Sequence, residues 1–377
     1  MSALHLTVSL AGSGYHPAAW RVSRLPIGPN AAAIQFAARA AESGKLDAML
    51  LGLPVDASAG ADKVNALPLD PLPLLGSLIG VTRRIGIAAA WTVDYTEPFH
   101  VARVFASLDH LSYGRTAWIA DMFGAEALAP RIGRPPQTGD MAEYCERAGE
   151  FIDVVKKLWD SWEDAALALD KASGTFVEPD RVHPIHHEGG HEGGHEGGFF
   201  TVRGPLNVPR PPQGNPLVIL HDPTNPDARP FAAATADVIL TSCDSLPRAR
   251  ERYCELQALA SPRPLRVLAN IGVTLGDTEA AAQRRAAELD AMAPPPAGLR
   301  FVGTPEQLVE LLGLWQREGA CDGLNVLPAV LDDIEPFIEQ AIPLAQRGGL
   351  FRSDYTGASL REHFGLTRPA SRYEGAA

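Results

Sequence analysis

The chain has 377 residues, 46% of them apolar and 21% charged, with a formal net charge of −12. That length can bury a large core, and the acid excess argues against an extended basic face for nucleic acid. No apolar run reaches the roughly 20 residues of a membrane helix, and Cys145, Cys243, Cys254 and Cys321 form no C-x-x-C pair, so a soluble protein of the reducing cytoplasm is expected.

The opening MSALHLTVSLAGSGYHP has no basic start and reads as a first strand, Leu4–Leu10, rather than a signal peptide. A helix is predicted over Asn30–Ser43, closed by Gly44, and then a strand over Ala48–Leu53. Helix Pro71–Thr82 leads to strand Ile85–Trp91, and helix Phe99–His110 to strand Thr116–Ala120. After the long helix Met141–Trp162 the alternation stops across the Gly- and Pro-rich segment Glu163–Pro216. It resumes with strands Leu217–His221 and Val238–Thr241, helix Leu246–Ala260 and strand Arg266–Thr274. Helices Asp277–Met292 and Pro305–Glu318, strand Leu324–Leu327 and helix Ile334–Arg347 complete the series, with Thr304-Pro305-Glu306-Gln307 reading as a helix start.

Several of these strands are continuous apolar runs, the pattern of parallel strands buried on both faces. Eight strand–helix units predict an α/β fold, a (β/α)₈ TIM-type barrel in one domain over residues 1–377. The long insertions, before Met141 and around 163–216, would sit at the C-terminal ends of the strands, where barrels carry their sites. The chain has no G-x-G-x-x-G between a strand and a helix, which disfavours a dinucleotide-binding open sheet. Within the second insertion, HEGGHEGGHEGG from His187 to Gly198 is too short a repeat for a solenoid and predicts a flexible, solvated loop. His183, His186, His187, His191 and His195 lack the fixed geometry of a ligand set, so no metal site is expected there.

Chemistry enters through longer strings. LDPLPLLGSLIGVTRRIGIAAAW, YTEPFHVARVFASLDHLSYGR, GEFIDVVKKLWDSWEDAA and DKASGTFVEPDRVHPIHH follow one another in the chain. FFTVRGPLNVPRPPQGNPLVI and the ending DGLNVLPAVLDDIEPFIEQAIPLAQRGGLFRSDYTGASLREHFGL come after them. In this order the strings resemble the nitrilotriacetate monooxygenase branch of the luciferase-like, flavin-dependent monooxygenases. The resemblance implies reduced FMN supplied by a separate flavin reductase, molecular oxygen, a small organic substrate, and a homodimer or larger homo-oligomer.

Carried over position by position, the resemblance places the cofactor near Ala90, Thr92, Tyr144, Cys145, Thr224 and Asn225; it assigns no catalytic residue. Several positions depart from the family pattern. Leu53-Pro54 stand where an acid is usual, Ala90 where a hydroxyl residue is common, and Trp118-Ile119 where Trp-Asn is common. Met141 and Cys145 replace a His and a Tyr spaced four apart, and Tyr144 is displaced by one position, about 100° around a helix. A phosphate-binding turn is replaced by His221-Asp222-Pro223-Thr224-Asn225-Pro226, in which two prolines lack amide donors and Asp222 is expected to oppose an anion. These departures leave two other readings open: a non-catalytic paralogue or partner subunit, and a small-molecule binding protein using the barrel mouth.

Overall fold

The computed structural model describes residues 4–25, 28, 31–52, 69–122, 129, 132–134, 140–189 and 198–373. Eight parallel strands close into a barrel: β1 (His5–Leu10), β2 (Ala48–Leu51), β3 (Gly86–Thr92), β4 (Thr116–Asp121), β5 (Leu217–His221), β6 (Val238–Thr241), β7 (Arg266–Leu275) and β8 (Gly323–Pro328). Each strand pairs with the next in sequence, and β8 returns to β1. The predicted TIM-type barrel is therefore the fold. A further short strand, Arg300–Gly303, extends the sheet beside the far end of β7.

The helices between strands are α1 (Ala31–Ser43), α2 (Pro71–Ile79), α3 (Pro98–Ser112), α4 (Met141–Asp160), α5 (Arg229–Thr235), α6 (Leu246–Ala260), α7 (Glu279–Met292) and α8 (Pro305–Arg317). Two more, α9 (Ile342–Arg347) and α10 (Leu360–His363), follow the last strand. Local chemistry sets their starts. The Asp140 carboxylate accepts from the Glu143 amide to open α4, and Thr304 and Gln307 form a reciprocal capping box on α8. The sequence predicted one helix over Ile334–Arg347, but the backbone widens into a π turn at Phe337–Ala341. Pro343 explains this: it has no N–H, and its ring crowds the carbonyl one turn earlier.

Alternation along the strands separates two interiors. Leu6, Val8, Met49, Ile87, Ala89 and Val326 point outward into a core shared with the surrounding helices. On the other side of the ring, Trp118, Val218 and Ile239 point outward against Phe105, Phe151 and Trp159. The inward set, Ala48, Leu50, Ala88, Ala117, Ile119, Leu217, Ile219, Leu240 and Leu268, fills the barrel itself. Trp159 and Trp162 are packing residues; their indoles donate to the carbonyls of Ala102 (2.9 Å) and Leu206 (2.7 Å).

The lower end of the barrel is sealed by the chain's own last segment. Leu360, Phe364 and Leu366 join the inward cluster, and a Cβ on Gly86 would come within 2.3 Å of Leu360, so the seal fits tightly. Arg361 donates to the Asn215 carbonyl (2.7 Å) and pairs with Asp237 (3.2 Å). Burial alone would raise the Asp237 carboxyl, but Arg361, Lys156 and Arg263 outweigh it and hold the group below its ordinary range. Arg352 contacts Asp47 and Tyr355 donates to the Leu46 carbonyl (2.8 Å), so both brace the segment against the strand ends.

Between α4 and β5 the described residues form a small hairpin, Leu167–Asp170 with Thr175–Val177, and a two-residue pairing of His187–Glu188 with Thr201–Val202. His187 is held between Glu150 (3.1 Å) and Lys157 (3.1 Å), and His183 between Glu163 (2.8 Å) and the stacked Tyr373 ring. Residues 190–197, most of the HEGG repeat with His191 and His195, lie outside the described residues.

Candidate active site at the mouth of the barrel

The strand register fixes which side chains meet at the carboxyl ends. Thr92 pairs with Asp121, Ile119 with Ile219, and Leu240 with His221. Paired residues of parallel neighbours project to one face, so Thr92, Asp121 and His221 stand on the inward face, one layer above Ala90, Ile119 and Ile219. A polar ladder crosses the other half of the ring. Thr7 and Ser9 donate to the Asn325 side-chain oxygen (2.9 and 3.0 Å), Asn325 donates to Asn270 (2.8 Å), and Asn270 donates to Ser242 (3.1 Å). The mouth therefore has one wall where Thr92, Asp121 and His221 rise above small and apolar side chains, and another of hydroxyls and amides. Gly52 packs tightly against the first wall: its φ is 76°, and a Cβ there would meet the Pro71 ring and, at 3.3 Å, the Ala90 methyl.

His221 differs from its polar neighbours. Its Nε2 is sealed from solvent and has no hydrogen-bond partner among the described residues. An unmade bond of this kind costs about 1–3 kcal/mol. Burial alone pushes the imidazole pKa down to about 4, so the ring is neutral at pH 7. An unfolded histidine titrates near 6.5, so between about pH 6.5 and 4 the unfolded chain binds the extra proton and the folded chain does not. Stability is therefore lost as the pH falls through that window, by about 3 kcal/mol from this residue. Urea unfolding at pH 7 and pH 4.5 checks this. A His221→Gln variant should lose less stability than the parent across the interval, and an equal loss in both proteins rules the effect out.

Beside the mouth, α4 carries a second constellation. The Tyr144 hydroxyl donates to Asp94 Oδ2 (2.8 Å) and lies against the Met122 carbonyl oxygen. Arg147, one turn along, pairs with Asp94 Oδ1 (3.2 Å) and lies 5.3 Å from the centre of the Phe200 ring. Thr92 Oγ1 accepts from the Asp94 amide (3.0 Å), which fixes the turn leaving β3. The next residue, Tyr95, is held at φ 55°, a left-handed conformation that bulky side chains avoid. Burial raises the Asp94 carboxyl, and the nearby Asp121 adds to the rise against Tyr144 and Arg147. Burial, with Asp94 beside it, pushes the Tyr144 phenol far above its ordinary range, so it stays a donor.

The predicted positions divide between these surroundings. Ala90 and Thr92 are on the inward face of the mouth, and Tyr144 is tied to it through Asp94. Cys145 is buried one position further around α4, and burial raises its thiol. Thr224 is exposed, while the Asn225 side-chain oxygen is committed to the Asp227 amide (2.9 Å). The charge expected at Asp222 is corrected. With His221 facing inward, Asp222 faces outward, contacting Arg252 and lying 3.8 Å from Arg229, so its charge is answered away from the mouth. Leu53 and Pro54 lie outside the described residues. Sequence reasoning missed His221, Asp94 and Arg147 as site residues. The available signal was position, since His221 ends a barrel strand and Asp94 follows one directly.

Comparison with known proteins agrees with this architecture. The luciferase-like monooxygenase family matches residues 5–301. N-acetyl-S-(2-succino)cysteine monooxygenase of Bacillus subtilis (strain 168) is 34% identical, with 98% of each chain covered. Nitrilotriacetate monooxygenase component A of Aminobacter aminovorans is 32% identical, with 95% of each covered. Among solved structures, EDTA monooxygenase from Chelativorans sp. BNC1 superposes with a TM-score of 0.84 at 25% identity, covering 97% of this chain and 99% of its own. The chain belongs to the luciferase-like monooxygenase family, in the branch that contains nitrilotriacetate monooxygenase.

Proposed function

We propose that the barrel mouth binds reduced FMN, delivered by a separate flavin reductase, and uses it with molecular oxygen to oxygenate a small organic substrate. The observation that carries this reading is the two-sided mouth. Ala90 presents only a methyl on the wall of small and apolar side chains, and the His221 Nε2 beside it has an unmade hydrogen bond among the described residues, opposite the ladder of hydroxyls and amides. Bound reduced flavin supplies the electrons and the place where oxygen is activated; one oxygen atom goes to the substrate and the other leaves as water.

The chain's own part is binding, orientation and exclusion of water. Ala90 and Thr92 would line the ring pocket. Tyr144, held by Asp94, would fix the flank of α4, with the Cys145 thiol packed behind it. Thr224, exposed and without a side-chain partner among the described residues, would donate to a phosphate, and Asn225 through its amide nitrogen. The prolines at 223 and 226 leave fewer amides for that anion than a glycine-serine turn provides. No helix among the described residues is long and apolar enough to cross a membrane. We place the enzyme in the cytoplasm as a homodimer or larger homo-oligomer, which light scattering of the purified protein tests.

Titration with FMN, oxidised and dithionite-reduced, followed by flavin fluorescence or absorbance, tests the central reading. Saturable binding of the reduced form and oxygen uptake with an added reductase are expected; no binding of either form overturns it. Because Asp222 faces Arg252 and Arg229, Asp222→Asn should leave FMN affinity within about twofold while lowering stability by about 1–3 kcal/mol. A large gain in FMN affinity in that variant would show that the aspartate does face the phosphate.

A further inference from the structure

We propose that His221 is the residue that hydrogen-bonds the heteroatom-bearing edge of the flavin ring, through its Nε2. This rests on the flavin reading above and assigns the contact to one atom. The imidazole ends β5 on the inward face, level with Leu240 of β6 and one layer above Ile219. A flat ring seated on the Ile219 layer would lie beside the imidazole.

The neighbouring polar groups are already engaged. Thr92 holds the Asp94 amide, and Ser9, Asn325, Asn270 and Ser242 form a continuous ladder. His221 is the exception: the residue is inward by register, and its Nε2 is buried and unpartnered among the described residues. Such an atom is costly to leave unsatisfied, and a ligand that reaches it recovers the lost bond.

The chemistry of the ring edge suits this atom. A flavin presents both N–H donors and carbonyl or imine acceptors along its pyrimidine side. A neutral imidazole can meet either kind by choosing its tautomer. Of the charged groups around the mouth, Asp121 ends β4 next to β5 and acts on Asp94, and Arg147 is paired to Asp94. Arg252 and Arg229 are turned outward with Asp222. His221 therefore meets the ring as an uncharged partner in a low-dielectric site, where a single well-made bond discriminates strongly.

The test compares FMN binding by the full chain with His221→Phe and His221→Gln, each checked for folding by circular dichroism. The parent should bind saturably. His221→Phe should bind about tenfold or more weakly, and His221→Gln, whose amide reaches a similar point, within about threefold of the parent. A second readout uses ¹⁵N-histidine-labelled parent protein. The His221 Nε2 resonance should shift on adding FMN, and it serves even where the phenylalanine variant does not fold. A parent that binds no FMN overturns the flavin reading itself. A parent that binds, with an unchanged Nε2 resonance or an equally tight His221→Phe variant, overturns this assignment alone.

Discussion

A chain ending at Ala358 should not fold: it should be recovered as insoluble material, or in soluble form without a cooperative unfolding transition. The deletion removes Leu360, Phe364 and Leu366 from the inward core. Burying each such side chain contributes about 1.5–3 kcal/mol. It also removes Arg361 from Asp237, a carboxylate that burial would otherwise disfavour, and breaking a buried pair costs about 3–5 kcal/mol. The combined loss is comparable to the whole net stability of a domain, about 5–15 kcal/mol. Phe364→Ala alone isolates the packing part and should cost about 3–5 kcal/mol by urea unfolding. A truncated chain with a parent-like denaturation midpoint would show that the seal is dispensable.

The second large effect is expected at Asp94. Asp94→Ala takes away the acceptor for Tyr144 and the partner of Arg147, whose side chain is only 20% exposed. A largely buried guanidinium without its carboxylate destabilises by about 3 kcal/mol. The same change frees the first turns of α4 from β3, and a displacement of about 1 Å beside a reacting centre costs about 100-fold in turnover. Tyr144→Phe is milder. It deletes one hydroxyl and keeps the Arg147 pair, so about 1–2 kcal/mol and a smaller loss of turnover follow. Oxygen uptake with substrate and reductase, alongside urea unfolding, reads both variants. Turnover of Asp94→Ala within threefold of the parent would place this cluster outside the working site.

The scaffold was legible in the sequence because buried parallel strands leave continuous apolar runs, as in Ile85–Trp91 and Leu217–His221. Once strand limits were known to within a residue or two, alternation determined which residues face inward. Short elements escaped. The helix Arg229–Thr235 is seven residues long and carries little periodicity, and Arg300–Gly303 has no flanking pattern of its own. The site was only partly legible. Ala90, Thr92 and Tyr144 could be placed by resemblance to a family. That the Asp222 charge is met by Arg229 and Arg252 depends on two helices that sequence spacing alone does not bring together. That the His221 nitrogen has no partner among the described residues is likewise a tertiary fact, since an absent bond leaves no mark in a string of residues.

The segment that seals the barrel has a consequence for the order of folding. It is synthesised after all eight strands it closes, so the nascent chain carries a completed sequence of strands with an open lower end until Leu360, Phe364 and Leu366 emerge. During that interval the apolar residues at the lower end of the barrel lack their cover and are exposed to other chains. Completion of the core thus waits on the segment that carries Leu360, Phe364 and Leu366, and slow translation before it prolongs the period in which the barrel is most prone to aggregate.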